Sequence, residues 1–384
     1  MRRFPEKLQQ KLDLRKNEGS LRYLSEPEAF IDFSSNDYLG FARSSVIFNN
    51  SHRYLKEKNI VENGAGGSRL LTGNHKLYKI AECTLSSFFE VEEALIFNSG
   101  YDANIGFFAS VPQRGDIILY DEYVHASIRD GIAMSHARGY KYLHNSITNL
   151  REKIEAVSLP QGANIYVVTE SVFSMDGDSP DLKELCHFCS DNNLFLVVDE
   201  AHAIGVIGKQ GKGLVYDLKL QDYVFAVLVT FGKALGCHGA AVLGSGSLKH
   251  YLVNFARSLI YTTALPPHAL ASFLCAVNYF NTTPAPFEKL RQNILFFKHQ
   301  IEHYGLEHLF IPGNSAIYSA VVPGNSQVKE LSSLMRGRGY EVKPILAPTV
   351  PEGKERLRFC IHSYNTENEM KEVLKLLATF AQKK

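Results

Sequence analysis

The chain has 384 residues, 45% of them hydrophobic, which is enough for a large domain and a smaller one rather than a single minimal core. Lys and Arg total 41 against 40 Asp and Glu, a formal net charge of +1, so no global field exists to draw nucleic acid or an acidic membrane surface, and a small-molecule partner is expected. No apolar run reaches the ~18 residues that span a bilayer, the N-terminus lacks the apolar stretch of a signal peptide, and the scattered cysteines have no disulfide-framework spacing; a cytoplasmic address, with no membrane contact, follows as the expectation.

In chain order, MRRFPEKLQQKLDLRKNEG is charged and helix-prone and opens an N-terminal segment taken as 1–45. From about 94 to 244, short apolar runs alternate with helical periods. ALIFN, DIILYD, IYVVTE, LFLVVDEAH, AVLVTF and GAAVLG are the predicted strands, and 102–110, 126–136, 180–191, 247–256 and 266–281 the predicted helices. That alternation predicts an α/β fold, a mostly parallel sheet covered by helices, in a large domain over 46–284. Within DLKELCHFC, Cys186 and Cys189 form C-x-x-C, but with Leu182 and Leu185 they follow i, i+3, i+4, i+7 spacing, the buried face of a helix, and no second C-x-x-C completes a zinc site. TTPAPF at 282–287 reads as a boundary, followed by a long helix around 287–304. Beyond it YSAVVP, YEVKPI and ERLRFCIHS read as strands, with helices near 326–338 and 366–382, giving a smaller α+β domain over 285–384.

Active sites of open α/β sheets lie outside the carboxyl ends of the strands. Those ends carry His125 in DEYVHAS, Ser174 in TESVFSMDGD, Asp199 and His202 in VVDEAH, and Thr230 and Lys233 in VTFGKALG. Singly, each has an ordinary reading: an aspartate after a strand often caps a helix, a histidine is often a hydrogen-bonded core residue, a lysine near glycine is usually a solvated loop charge. Together they suggest a desolvated amine, nucleophilic toward an aldehyde, opposite a carboxylate. Pyridoxal phosphate requires such a set: a carboxylate at its ring nitrogen, backbone N–H groups at a helix start for its phosphate, and a planar group on one ring face. Asp199, the turn at Ser99, Gly100 and Tyr101, and His125 answer these three demands. His202 and Ser174 are candidates for the ring's phenolic oxygen, and Thr230 for the phosphate. No metal site is expected. The glycine-rich run at Gly64, Gly66, Gly67 and Gly73 holds no strict G-x-G-x-x-G after a clear strand, so it is not taken as a dinucleotide site.

The ordered segments FSSNDYLG, NGAGGSRLLTGNH, DEYVHAS, TESVFSMDGD, VDEAHAIGVIGKQGKG, VTFGKALGCHGAAVLG, IYTTALPP and APTVPEGKERLR resemble the α-oxoamine synthase family of fold-type I pyridoxal-phosphate enzymes. The resemblance spans nearly the whole chain. It implies a PLP-dependent acyltransferase acting on an amino acid and an acyl thioester, with Lys233, His125 and Asp199 catalytic. It further implies cofactor contacts at Ser99, Gly100, Tyr101, His125, Ser174, Asp199, His202, Thr230 and Lys233. Substrate contacts are implied at Arg22, Asn36, His125, Thr349 and Arg358, the last gripping a carboxylate through two parallel hydrogen bonds. A surface ion pair is the alternative for Arg358. A homodimer is also implied, with Thr262 or Thr263 of one copy reaching the phosphate of the other. The catalytic set does not choose among glycine C-acetyltransferase, 5-aminolevulinate synthase, serine palmitoyltransferase and the biotin-pathway branch; TVPEGKERLRFCIHSYNTENE and IYTTALPP favour the last. Ile204 stands where relatives often carry a small hydroxylated residue, and Cys237 is taken as packing.

Overall fold

The structure, a computed structural model, describes residues 4–24, 29–158 and 160–381, with no side-chain account at 381. The chain divides into two compact units, one formed by 36–174 with 178–291 and the other by 1–35, 175–177 and 292–384.

The larger unit is built on a seven-stranded sheet. In spatial order its strands are Glu93–Phe97, Ala240–Gly244, Ala226–Thr230, Phe195–Asp199, Ile165–Glu170, Ile117–Asp121 and Arg138–Tyr142. The last five are mutually parallel, and Ala240–Gly244 runs antiparallel to both its neighbours. Alternate residues of the central strands face opposite layers: Leu196 and Val198 enter one apolar cluster while Val197 enters the other. Burial on both faces is why these strands read as continuous apolar runs and not as alternating patterns. At roughly 1.5–3 kcal/mol for each fully buried Val, Leu or Ile, this double layer is the main stabilising term of the unit.

The strand Arg138–Tyr142 has no counterpart among the predicted ones. RGYKY leaves all but Tyr142 exposed, so its sequence has neither an apolar run nor an alternation; pairing with Ile117–Asp121 at the sheet edge makes it a strand. The predicted helices appear as Gly100–Ser110, Ala126–Ala133, Leu182–Asp191, Gly246–Phe255 and Pro267–Thr282. Side-chain N-caps explain several starts: Ser99, Asp181 and Ser245 accept from the N–H of Asp102, Glu184 and Leu248. Cys186 and Cys189 lie buried on helix Leu182–Asp191, as the spacing predicts, and burial pushes the Cys186 thiol up to about 12.

The smaller unit holds an antiparallel sheet of Lys343–Ile345, Arg356–Cys360 and Ile317–Val321, and a short parallel pairing of Ile31–Asp32 with Tyr340–Glu341. Helices Glu6–Asn17, Asn325–Gly337 and Glu367–Ala381 belong to it, as does helix Ala285–His303 from residue 292 on; residue 382, the expected end of Glu367–Ala381, lies outside the described residues. On the middle strand, Leu357 and Phe359 point into the core while Arg356 and Arg358 share the other face. Among the described residues no helix is long and apolar enough to cross a membrane.

Candidate active site

Six of the seven strands of the larger unit end at one edge of the sheet. Glu93–Phe97 is antiparallel to Ala240–Gly244, which is antiparallel to Ala226–Thr230, so the first and third point the same way. Phe97, Ala240 and Thr230 are register neighbours across these strands. The helix start at Ser99 and Gly100 is thereby set beside Thr230. A Cβ added to Gly100 would stand 3.7 Å from both Cβ and Oγ1 of Thr230. The glycine thus leaves a hollow between a hydroxyl and a helix N-terminus, whose unpaired N–H groups and positive dipole end suit a phosphate. Thr230 Oγ1 donates to Gly239 O at 3.3 Å and accepts from Gly232 N–H at 3.3 Å, which holds the turn leading to Lys233. The Ser99 hydroxyl caps the helix through Asp102 N–H at 3.0 Å, and the Tyr101 hydroxyl donates to Asp130.

Lys233 is half-buried in a turn closed by Gly236 N–H to its carbonyl at 2.9 Å. Gly236 has φ +62°, and a Cβ there would lie 2.1 Å from Ala42 N, so only glycine lets the lysine turn pack against that segment. The Lys233 ammonium is near enough to act electrostatically on both His125 and Glu170.

Asp199, 6% exposed, ends its strand with the carboxylate held from two sides. Asn104 Nδ2 donates to Oδ2 at 3.0 Å and Ala201 N–H to Oδ1 at 2.9 Å. Both donors are neutral, so they orient a buried negative charge without cancelling it. A buried carboxylate held in this way fits a cofactor with a protonated ring nitrogen. His202 is buried, its Nδ1 2.7 Å from the Tyr38 hydroxyl, which in turn lies 3.2 Å from Asn36 Oδ1. Ser174 is also buried; the loop before it is tied down by Ser171 N–H to Asp199 O at 3.0 Å. Thr262 Oγ1 accepts from Asn98 Nδ2 at 3.2 Å, next to the helix start.

His125 caps helix Ala126–Ala133, and its backbone N–H donates to Glu170 Oε1 at 2.5 Å. Burial pushes the imidazole of His125 below its usual range, against the opposing pull of Asp199. Burial, with Asp199 adding to it, pushes the Glu170 carboxyl up to about 8. Burial thus favours the neutral form of the Glu170 carboxyl, which lies against the histidine's backbone. Glu200 is likewise buried and pushed up to about 7; its carboxyl takes the N–H groups of Leu214 at 3.0 Å and Val215 at 2.7 Å.

The loops carrying His125 and Ser174 share a clamp. His144 lies with Nδ1 2.9 Å from Asp121 and Nε2 2.8 Å from Asp178, and its ring sits 4.4 Å from that of Tyr123. Burial alone would lower its pKa, but the bonds to the two aspartates outweigh that and raise it to about 9. Its folded value exceeds the unfolded value near 6.5, so its stabilisation is complete below that pH and is lost as pH rises through about 9. Denaturant unfolding between pH 6 and 10 should show stability falling, with His144 contributing on the order of 2 kcal/mol once its partial exposure is allowed for, and His144→Gln should flatten the fall above pH 8; an unchanged slope in that variant would remove the clamp.

Asn104, Ser127, Glu170, Tyr38 and His144 were not singled out by the sequence. Arg22, Thr349 and Arg358 belong to the smaller unit. Arg22 and Thr349 are exposed, whereas Arg358 is 7% exposed, which argues against the surface ion pair. Cys237 packs against the core as expected, with its thiol pushed up to about 11 by burial, and Ile204 lies within the core.

The family model for aminotransferase class I and II matches residues 28–377. The 8-amino-7-oxononanoate synthase of Emericella nidulans is 39% identical over 379 residues, covering 93% of this chain and 90% of that protein. The enzyme of the same name from Lysinibacillus sphaericus is 33% identical over 345 residues, covering 90% and 87%. Among solved structures, the 8-amino-7-oxononanoate synthase of Francisella tularensis superposes with a TM-score of 0.79 at 28% identity, covering 93% of this chain and 99% of that one. A serine palmitoyltransferase from S. paucimobilis with a bound PLP–myriocin aldimine reaches 0.88 at 23% identity over 98% and 97%, a likeness of fold. The chain is therefore a pyridoxal-phosphate enzyme of the aminotransferase class I and II family, with the fold-type I architecture, on its α-oxoamine synthase branch.

Proposed function

We propose that the chain condenses L-alanine with a pimeloyl thioester, releasing carbon dioxide and the thiol, to give 8-amino-7-oxononanoate in biotin biosynthesis. The observation that carries this reading is the buried carboxylate of Asp199, aimed by Asn104 and Ala201 at the same sheet edge as the Lys233 turn and the Ser99–Gly100 helix start. The names carried by the relatives supply the substrates.

Bound pyridoxal phosphate supplies an electron sink for the charge released at the amino acid's α-carbon. Lys233 would hold the cofactor through Nζ, and the same amine, when free, would be the group that takes the α-proton. Asp199 holds the proton on the ring nitrogen by charge. The N–H groups at Gly100 and Tyr101, with the hydroxyls of Ser99 and Thr230, bind the phosphate. His125 would pack against the ring, and His202 and Ser174 would be hydrogen-bonding partners for its polar substituent. Arg358 grips the amino acid's carboxylate with a planar pair of donors, and Asn36, Thr349 and Arg22 line the approach of substrate. The active unit is a homodimer in the cytoplasm, with Thr262 of a second copy completing the phosphate site.

Thiol release tests the assignment. The purified protein is offered L-alanine, glycine or L-serine with pimeloyl, acetyl, succinyl or palmitoyl thioesters, on coenzyme A and on a carrier protein. L-alanine with the pimeloyl donor should give the highest kcat/KM, exceeding glycine by about 10- to 200-fold, the discrimination available from one methyl group. Preference for glycine or serine with another acyl chain would move the protein to a sister activity.

A further inference from the structure

The two groups assigned to the cofactor ring, Asp199 and His125, are joined by a chain of neutral donors that the reaction as derived above does not use. Asn104, 3% exposed on helix Gly100–Ser110, places its amide nitrogen 3.0 Å from Asp199 Oδ2 and 3.0 Å from the hydroxyl of Ser127. Ser127, fully buried in the first turn of helix Ala126–Ala133, places that hydroxyl 2.7 Å from His125 Nδ1. The direction of every bond is fixed by chemistry. The atom of Asn104 facing a carboxylate must be the nitrogen, since the flipped amide would set oxygen against oxygen. Its two hydrogens then serve Asp199 and Ser127, while its Oδ1 is buried with no hydrogen-bond partner among the described residues. Having accepted from Asn104, the serine hydroxyl has its own proton to give to Nδ1. Independently, the backbone N–H of Ser127, which can only donate, points at the same Nδ1 from 3.2 Å. Nδ1 is an acceptor on both counts.

We propose that Asn104 and Ser127 are positioning residues that lock His125 into the tautomer with its proton on Nε2, so that His125 meets the reacting amino acid as a hydrogen-bond donor to an oxygen and not as a base. The inference rests on the reading of the site given above for what His125 faces, but the tautomer itself does not. The positive end of helix Ala126–Ala133 disfavours an imidazolium at its cap, and burial acts in the same direction. The charges acting on the ring are Asp199, Lys233, Arg129 and Asp130. Proton removal is thereby left to Lys233 alone, and the identity of the proton-accepting group is written into two uncharged side chains that act through His125.

Nitrogen-15 NMR of the histidine-labelled full chain, with cofactor bound and again without it, tests this, with His125→Gln assigning the signal. At pH 7 the wild-type His125 should be neutral with the proton on Nε2. Ser127→Ala and, to a smaller degree, Asn104→Leu should shift the Nδ1 resonance, raise the titration midpoint of His125 and lower kcat, by about tenfold for Ser127→Ala. A wild-type signal with the proton on Nδ1, or on both nitrogens, overturns the proposal even where a variant fails to fold. Folded variants whose His125 resonates and titrates as in the wild type overturn the part given to Asn104 and Ser127. A protein that shows the Nε2 proton yet takes up no pyridoxal phosphate would instead sink the functional reading and leave the lock standing.

Discussion

Lys233→Ala should leave a folded, colourless protein that neither absorbs visible light after incubation with pyridoxal phosphate nor releases thiol from any donor. The expectation has two parts with one cause. The proposed amine both bonds the aldehyde and takes the α-proton, so its loss removes covalent attachment and proton transfer together; turnover should fall by at least about 10⁴-fold. The turn itself survives, because the Gly236 N–H bonds to the backbone carbonyl of residue 233 and not to its side chain. Visible absorbance retained together with activity would end the assignment of Lys233, and circular dichroism would establish that the comparison is between folded proteins.

Asp199→Asn is expected to bind the cofactor and to lose about 10²- to 10⁴-fold in turnover, because an amide has no charge with which to keep a ring nitrogen protonated. The geometry adds a second consequence. The carbonyl of the new side chain would keep the Ala201 N–H bond, which turns its NH₂ group toward the amide nitrogen of Asn104. Two donors would then face one another. Asn104 relieves the conflict by rotating its Oδ1, buried and unpartnered in the parent, into the contact, and that rotation presents the same oxygen to the Ser127 hydroxyl. The variant should therefore show both a slowed exchange of the α-proton of L-alanine in deuterated water, measured without acyl donor, and an altered His125 resonance. Exchange at the parent rate would show that the charge of Asp199 is not needed for carbanion formation.

The sheet and the candidate site residues were legible because the two-sided burial of its central strands leaves apolar runs that end in polar residues. Asp199 after LFLVV and Lys233 after AVLVTF stand out on that ground. Asn104 does not, since in NSGYDANIG an asparagine reads as a cap or a surface residue; it becomes a partner of Asp199 only when helix Gly100–Ser110 crosses the end of another strand. Glu170 reads as the polar end of IYVVTE, and only the descent of the His125 backbone onto its carboxyl makes it part of the site. Arg138–Tyr142 was invisible for the opposite reason: an edge strand needs one partner and no core, so RGYKY carries no periodic signal. Arg358 was legible in type but not in environment, because a strand's register, and not its composition, decides that an arginine lies on an inner face.

The antiparallel strand Ala240–Gly244 is the sole neighbour of Glu93–Phe97 in the sheet. During synthesis, residues 93–97 therefore leave the ribosome as an apolar segment, ALIF included, with no hydrogen-bonding companion until the polypeptide has grown through 244. Any chain truncated before that point presents a bare, sticky ribbon and should precipitate. The hairpin that finally covers it is the one bearing Lys233 and Thr230, so a nascent molecule acquires the amine proposed to hold the cofactor and its protection from aggregation in the same event.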